Sequence, residues 1–573
     1  MTPEVDVALR FVPRRWVALL MVAGAATIFI APFAHAPSQQ VASVSYVAGC
    51  DNRIASIGLA LLSLIVVALV WRLLSPAEIS EERGRVPRVL VFWSIAFTVV
   101  FTLTLGWAIH RSDVRFAESN YFLNRIRNIL EFRMKIYRDL EFPYGPMLLY
   151  PSVWMYRLFA PLGMSVVTAY FATLAVMNVA GVGMVAYLVN RLPMLYRWRV
   201  LLFVACVLLQ TNALAGPNYS LYKFALPFTG MVWASRRNRQ GMQFAAFVLA
   251  ELTVLLVSPE LGVGMTAGVA TYAVVRIFRG QRGAAVLFVA PIASVVLFLA
   301  GFGRAFLDRL GQASNGALNL IPEPSPHLLV FAFAILFLVP VMVGWMLRAR
   351  AECAALVAGV YLLSMGMLPG ALGRCDPLHV FFYGFGFFVL TFVAIGAYSR
   401  RAQTAWATVF ILFAFQVQAT NLKVAAPSLR ALLHSRGAGD SSEIDALRSI
   451  TGGERISTPE IYSVPVSLEE QMRSAGIFVP DYYPGMAEVW DAAGEERVIA
   501  AMRRERWALV LNNDGTFSET LPNTPIKLVM RFGYRYKARH APFELGTLLH
   551  EELATRWTPV KVLCGLTLYR QLP

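Results

Sequence analysis

Charge is what this 573-residue chain has least of: Asp, Glu, Lys and Arg make up 15% of it, where soluble domains average about a quarter. A large soluble enzyme is therefore a poor description of it. Cysteine is scarce as well, with 5 in the chain, no CxxC pair and no His/Cys spacing of a metal site; this excludes a disulfide-stapled scaffold and a zinc ribbon. Cys206 and Cys353 fall inside apolar runs, where a thiol packs as a small hydrophobe. Cys50, Cys375 and Cys564 fall on the outer side, where an oxidising compartment permits a disulfide among them, and the sequence does not pair them. There is no internal repeat, and the Gly/Ser-rich stretch at 436–442 is the only compositionally biased segment.

What the chain does have is apolar mass, 57% hydrophobic with 12% aromatic residues, and a net charge of +16 that is unevenly spread. Residues 1–420 hold 33 Lys/Arg against 17 Asp/Glu, whereas residues 421–573 hold 18 of each. The whole positive excess thus lies in the apolar portion, as in a membrane protein with basic loops and unlike a nucleic-acid binder. About thirteen runs are long enough, or nearly so, to cross a bilayer as helices. They lie near 16–34, 54–74, 89–109, 163–189, 199–214, 221–235, 242–257, 261–276, 284–303, 327–347, 353–371, 378–398 and 404–420. The runs 199–214 and 221–235 are short enough to be read alternatively as one broken or re-entrant unit.

Arginines mark every second loop. Arg10, Arg14 and Arg15 precede the first run, and Arg72, Arg83, Arg85 and Arg88 follow the second. Arg191, Arg197 and Arg199, then Arg236, Arg237 and Arg239, then Arg276, Arg279 and Arg282 follow the fourth, sixth and eighth, and Arg348, Arg350, Arg400 and Arg401 continue the pattern. Basic residues are retained on the cytoplasmic side, so the expectation is a cytoplasmic N-terminus and an extracytoplasmic tail from about residue 421. Ala34-His35-Ala36 imitates a signal-peptidase site, but the preceding apolar run is long for a signal core and Pro37 would follow the cut; a retained anchor is the preferred reading.

The tail reads as a small α/β domain. Residues 443–449, 495–505 and 544–553 have helical spacing, Trp507-Ala508-Leu509-Val510-Leu511 is a buried strand, and Val560 to Tyr569 form a strand pair around Gly565. The expected organisation is a transmembrane catalytic domain, 1–420, and an extracytoplasmic α/β domain, 421–573.

Ionisable residues cluster at the outer ends of the runs, where a charge next to lipid normally faces a cavity. The third outer loop carries five acids, Asp113, Glu118, Glu131, Asp139 and Glu141, the last two within Tyr137-Arg138-Asp139-Leu140-Glu141-Phe142-Pro143-Tyr144-Gly145-Pro146. Each acid taken alone is equally well read as a solvated loop residue. Gly373-Arg374-Cys375-Asp376-Pro377-Leu378-His379 places a phosphate-competent guanidinium beside a histidine near a helix start; the bland alternative is an Arg374–Asp376 pair. Ser258-Pro259-Glu260 aims a carboxylate at the same face, and Asn218, Tyr219, Tyr222 and Lys223 add one cation and two rings. Glu251, in mid-run, is either hydrogen-bonded within the protein or lines a cavity.

The motifs at 137–146, 258–260 and 373–379 resemble those of bacterial multi-spanning GT-C glycosyltransferases, the class of aminoarabinose transferases and protein mannosyltransferases, over roughly residues 89–400. The resemblance implies a GT-C-like helical membrane fold and transfer of a sugar from a polyprenyl-phosphate donor to a glycan, lipid or protein acceptor at the outer face of the inner membrane. It implies Asp113 or Glu118 as the acid that takes the acceptor proton, with Asp139 and Glu141 in the same motif. Arg374, His379, Arg138 and Lys223 would attend the donor phosphate, and Tyr137, Tyr144, Glu260 and Asp376 would line the pocket. In one respect the chain departs from the class, whose acid usually stands in the first outer loop, where this chain has only Asp51. No cofactor is obligatory in this reading, although the acidic loop offers oxygen ligands to a divalent metal. A transporter or flippase of a lipid-linked saccharide, and a glycan polymerase or ligase, are the alternatives.

Overall fold

The structure is a computed structural model that describes residues 41–42, 84–111, 118–140, 142–192, 196–210, 216–314, 326–348, 351–368, 370–371, 377–395, 404, 406–412, 414–415, 441–458, 466–479, 490–511, 547–563 and 566–573. It is a mostly helical protein with a small mixed sheet near its C-terminus. Among the described residues four helices are long and apolar enough to cross a membrane, Val166–Arg191, Gln240–Val257, Pro259–Phe278 and Arg282–Gly303, and four further apolar helices are shorter. The first two apolar runs and the boundary near residue 420 lie outside the described residues.

The helical elements follow the apolar runs. Helix α1 (Arg88–Arg111) presents Val89, Phe92, Trp93, Phe97 and Val100 outward, a stripe that suits lipid and would be a liability in water. After α2 (Glu118–Glu131) and α3 (Tyr150–Phe159) comes α4 (Val166–Arg191), capped by Ser165 Oγ accepting from the Thr168 amide at 3.1 Å. The two short runs form separate helices of 15 residues each, α5 (Tyr196–Gln210) and α6 (Leu221–Ser235), each about 22 Å long at 1.5 Å per residue. Helices α7 (Gln240–Val257) and α8 (Pro259–Phe278) are joined through Ser258 alone, because Pro259 lacks the N–H that would continue α7 but suits the first turn of a new helix. The apolar run at 284–303 begins as a 3-10 turn and continues as α9 (Val289–Ser314), bent at Gly303, where φ is 56°. Helices α10 (Pro326–Arg348) and α11 (Ala351–Gly366) follow; the run at 378–398 divides at Gly384 into α12 (Pro377–Tyr383) and α13 (Phe385–Ile395).

Glycine sets the close approach of α8 to α11. A Cβ on Gly268 would stand 2.9 Å from the Gly359 carbonyl oxygen, and one on Gly366 would stand 2.6 Å from the Gly264 Cα. Lipid supplies no hydrophobic drive between helices, so close backbone packing of small residues has to hold them together. Glu251 lies wholly buried on α7 and accepts a hydrogen bond from Thr266 on α8. Of the two readings open in the sequence, the structure takes the internally hydrogen-bonded one.

The loop after the third apolar run departs from expectation. Residues 118–131, which read as part of the solvated third outer loop, form α2, and every side chain from Ser119 to Ile129 is buried. One side of α2 packs Tyr121, Phe122, Ile126 and Ile129 into a core with Phe142, Tyr144, Val153, Tyr170 and Phe298. The side bearing Arg127, Asn128 and Glu131 meets the C-terminal unit. Its many polar residues look solvated in sequence because nothing nearby in the chain announces that cover.

In the C-terminal part the expected elements appear as α14 (Ser441–Thr451), α16 (Ala492–Met502), α17 (Thr547–Arg556), β4 (Trp507–Leu511), β5 (Trp557–Leu563) and β6 (Leu566–Gln571). Helix α15 (Val466–Ser474) and strand β2 (Ile456–Ser457) were not anticipated. The sheet order is β2-β4-β6-β5, with β2 parallel to β4 and the rest antiparallel. A separate two-residue pair joins β1 (Val41–Ala42) to β3 (Trp490–Asp491). Glu552 on α17 accepts from Arg503 Nε at 2.9 Å and Nη2 at 2.6 Å and from the Trp557 indole at 3.3 Å.

Two outcomes follow for stability. Gly268→Ile should cost about 1–3 kcal/mol by forcing α8 from α11, read as a lower unfolding temperature in detergent with α17 and the sheet unaffected. The hydrogen bonds from Arg503 hold the Glu552 carboxyl below its ordinary value of 4.5 despite the opposing effect of burial. A carboxyl held low in the folded state stabilises it above the unfolded value and loses that contribution as pH falls through the folded one. Acidification below about pH 4.5 should therefore loosen the tail, followed by Trp507 emission, and Glu552→Gln should flatten that dependence.

Candidate functional site

The motif at 137–146 works as a folded turn. Tyr137 holds a left-handed backbone, φ 66°, which is strained for a residue with a bulky side chain. Its buried ring lies edge-on to Phe302 and Phe306 of α9, and its hydroxyl donates to the Tyr144 carbonyl oxygen at 2.7 Å. Two residues after Pro143, the Gly145 amide donates to the Val257 carbonyl at 3.1 Å, and a Cβ there would collide with Leu256 and Val257 backbone. Only glycine permits that approach. The turn is thereby seated on the last residues of α7, directly before Ser258-Pro259-Glu260, so two motifs more than a hundred residues apart become one structure.

At their junction stands Lys223, with none of its surface exposed. Ser220 caps α6 by accepting from the Lys223 amide at 3.3 Å and donating to the Pro217 carbonyl at 2.7 Å, which fixes the lysine in the first turn. A cation there opposes the helix dipole, and the opposing charge comes from another helix: Nζ lies 2.6 Å from Glu260 Oε1, in the favourable first turn of α8. The same ammonium donates to Asn218 Oδ1 at 2.7 Å and lies 4.7 Å from the centre of the Tyr144 ring. Glu260 Oε1 also accepts from the Tyr383 hydroxyl at 2.7 Å and from Ser258 at 3.2 Å. Asn218 Nδ2 donates to the Tyr144 hydroxyl oxygen at 2.8 Å and to Glu118 Oε1 at 3.2 Å. A continuous polar chain, Glu118–Asn218–Lys223–Glu260–Tyr383, thus crosses five segments, and 44% of the Glu260 side chain remains open at its edge.

His379 joins from α12: its Nε2 is 2.6 Å from the Tyr219 hydroxyl, and its ring stacks parallel to that of Tyr383 at 6.1 Å. Burial raises the Tyr144 hydroxyl well above the usual phenol range and likewise raises that of Tyr137, so both remain protonated hydrogen-bonding groups. Arg138 and Asp139 stand apart, paired at 2.8 Å on the exposed side of the turn; the hydrogen bond from Arg138 keeps the aspartate ionised below the usual range.

The structure therefore brings together Glu118, Tyr144, Lys223, Glu260 and His379 of the residues singled out in the sequence, with Tyr137 as their support. Asp113, Glu141, Arg374 and Asp376 lie outside the described residues; among the described residues no cluster of three His, Cys, Asp or Glu could hold a metal. Asn218 and Tyr219 carried only a weak signal in the sequence. Tyr383 was missed, since it sits in the aromatic run Val380-Phe381-Phe382-Tyr383 and reads there as packing.

No family model matches this chain, and no curated protein does. Among solved structures the chain bears a likeness, at low sequence identity, to two proteins. One is the archaeal oligosaccharyltransferase AglB from Archaeoglobus fulgidus, in complex with an inhibitory peptide and a dolichol-phosphate, at 12% identity over 74% of this chain and 69% of that one, with a TM-score of 0.41. Another is ArnT from Cupriavidus metallidurans, in the apo state and bound to undecaprenyl phosphate, at 13% and 12% identity; each covers 84% of this chain and 98% of that one, with a TM-score of 0.35.

The ion pair should respond asymmetrically to substitution. Glu260→Gln strands a fully buried ammonium and should cost about 3 kcal/mol. Lys223→Met leaves a carboxylate that water can reach and should cost about 1 kcal/mol. Chemical unfolding of the two variants in detergent reads the difference, and equal costs would contradict this assignment of burial.

Proposed function

We propose that this chain is a membrane glycosyltransferase that moves a sugar from a polyprenyl-phosphate donor to an acceptor on the extracytoplasmic face. The observation that carries the reading is the polar chain from Glu118 to Tyr383. It gathers residues of the 137–146 and 258–260 motifs, with His379 beside it, at one end of the helices, and it opens at a carboxylate. The seating of Gly145 on α7 supplies a physical reason for the motif on which the sequence resemblance rests.

The reaction is a displacement at the anomeric carbon. Glu118 or Asp113 takes the proton of the acceptor hydroxyl, the new C–O bond forms, and the bond to phosphate oxygen breaks. Asp139 and Glu141 shape the loop that carries these acids. The departing phosphate needs positive charge, for which Arg374, His379 and Arg138 are the assigned groups. Lys223 has no exposed surface and gives its N–H donors to Asn218 and Glu260, so its part is to hold the Glu260 carboxylate in place at the open edge of the chain.

Two contacts support a shared outer side for the loops and tail. Strand β1 follows the first apolar run and pairs with β3 of the tail, and α2, in the loop after the third run, meets α15. The cytoplasmic N-terminus, the inner-membrane location and the division into residues 1–420 and 421–573 belong to this proposal. Against a transporter, the polar groups collected by the structure lie at helix ends, and Glu251, in mid-run, is packed between α7 and α8 with a hydrogen bond from Thr266.

The test is turnover of defined polyprenyl-phosphate sugars by the purified protein in detergent, with candidate acceptors. Wild type should consume one donor and transfer a single sugar, and either Asp113→Asn or Glu118→Gln should lower kcat by about 10²–10⁴-fold with donor binding retained. Arg374→Ala should weaken donor binding and turnover together. Binding without consumption of any donor would replace this reading with transport, measured as flipping in vesicles; a polymeric product would replace it with a polymerase.

A further inference from the structure

Helix α2 carries Glu118 at its first residue, and its other end is gripped by the tail. Arg473 of α15, with 6% of its side chain exposed, donates through all three nitrogens: Nη1 to Glu131 Oε2 at 2.5 Å, Nη2 to Asn128 Oδ1 at 2.8 Å, and Nε to Glu469 Oε1 at 2.8 Å on its own helix. Its guanidinium lies 4.1 Å from the centre of the Phe478 ring. Arg127 of α2, also 6% exposed, answers in the opposite sense by pairing with Glu470, with Glu469 at 3.9 Å. The charges alternate as Arg127 then Glu131 on one helix and as Glu469 and Glu470 then Arg473 on the other. Reversing either helix would set like charges against each other, so the pattern selects one alignment.

Such a contact exceeds a surface ion pair in consequence, because removal of one partner leaves an arginine buried without its counter-charge. About 20 Å separates the two ends of α2 at helical rise, and a helix transmits displacement along its axis as a rigid unit. At the far end the Glu118 carboxylate lies against Gly216, where no Cβ would fit, and meets Asn218, which in turn holds Lys223.

We infer that the C-terminal unit is a working part of the site: Arg473, with Arg127, fixes α2 and so sets where the Glu118 carboxylate stands. Arg473 is then a positioning residue, acting through Glu118 and Asn218 without touching substrate. The catalytic half of this inference rests on the glycosyl-transfer reading, and the mechanical half does not.

The experiment therefore has two arms on the full-length protein. Hydrogen exchange of the amides in residues 118–131 measures how firmly α2 is held, and steady-state kinetics with the lipid-linked donor measure the consequence. Arg473→Ala should raise exchange in α2 at least about tenfold while Trp507 emission stays that of a folded tail; kcat should fall about 10- to 100-fold with KM for the donor within about twofold. Arg473→Lys keeps the charge but loses the planar fork, and should fall between wild type and Arg473→Ala in both arms. It carries the comparison if Arg473→Ala unfolds the tail. Unchanged exchange in α2 would overturn the inference, and so would faster exchange with unaltered kcat. If wild type turns over no donor, the glycosyl-transfer reading fails; exchange in α2 then decides by itself whether α15 holds that helix.

Discussion

A lysine ammonium with no exposed surface, in the first turn of a helix within an apolar bundle, constrains much of what surrounds it. Removing such a charge from water costs several kcal/mol unless another charge and further hydrogen bonds replace the lost hydration. Lys223 obtains these from Glu260, Asn218 and the ring of Tyr144. Each partner brings a requirement of its own. Glu260 must begin α8, so α7 has to end one residue earlier, which Ser258-Pro259 ensures. Asn218 must lie within 5 residues of the lysine yet outside its helix, which the Ser220 cap ensures. Tyr144 must sit over Nζ, which demands that Gly145 come into contact with the end of α7.

The same constraint explains where the chain accepts strain. Tyr137 adopts a left-handed backbone that costs on the order of 1–2 kcal/mol, and its buried ring and its bond to the Tyr144 carbonyl hold it there. That bond fixes the very residue whose ring covers Lys223. Further along α8, the glycines that let α11 approach within backbone contact keep the helix bearing Glu260 at a fixed depth. Strain at one end and small residues at the other thus act on one geometry.

Among the described residues the membrane-length helices were legible because their apolar runs are continuous and arginines punctuate them, and the tail elements because their periodicities are local. Partition of the short runs into α5 and α6 was less so: 15 residues is too few for length alone to tell two helices from one broken one. Within the site, Glu260, Tyr144 and His379 stood out as polar groups or rings at helix ends, and Lys223 as the lone cation near its loop. Tyr383 did not, since an aromatic residue among three apolar neighbours has no polar signature until its hydroxyl finds Glu260. Residue type indicated which groups could carry chemistry; their order along the polar chain came from contacts between residues about 40 to 120 positions apart.

Helix α2 shows why composition alone misleads in such a chain. With Asn120, Asn124, Arg125, Arg127 and Asn128 it has the makeup of a solvated surface helix, yet it is buried from Ser119 to Ile129. Burying so many polar groups is tolerable only if both faces are covered and the charged face meets its complement. The complement lies some 340 residues away, in α15. A helix of this composition would keep its polar face hydrated if the tail were absent, and the carboxylate at its first residue would then be anchored by the apolar face alone. The polar residues of α2 are better understood as half of an interface than as a loop that tolerates charge, which makes the boundary between the bundle and the tail a part of the structure on which the site depends.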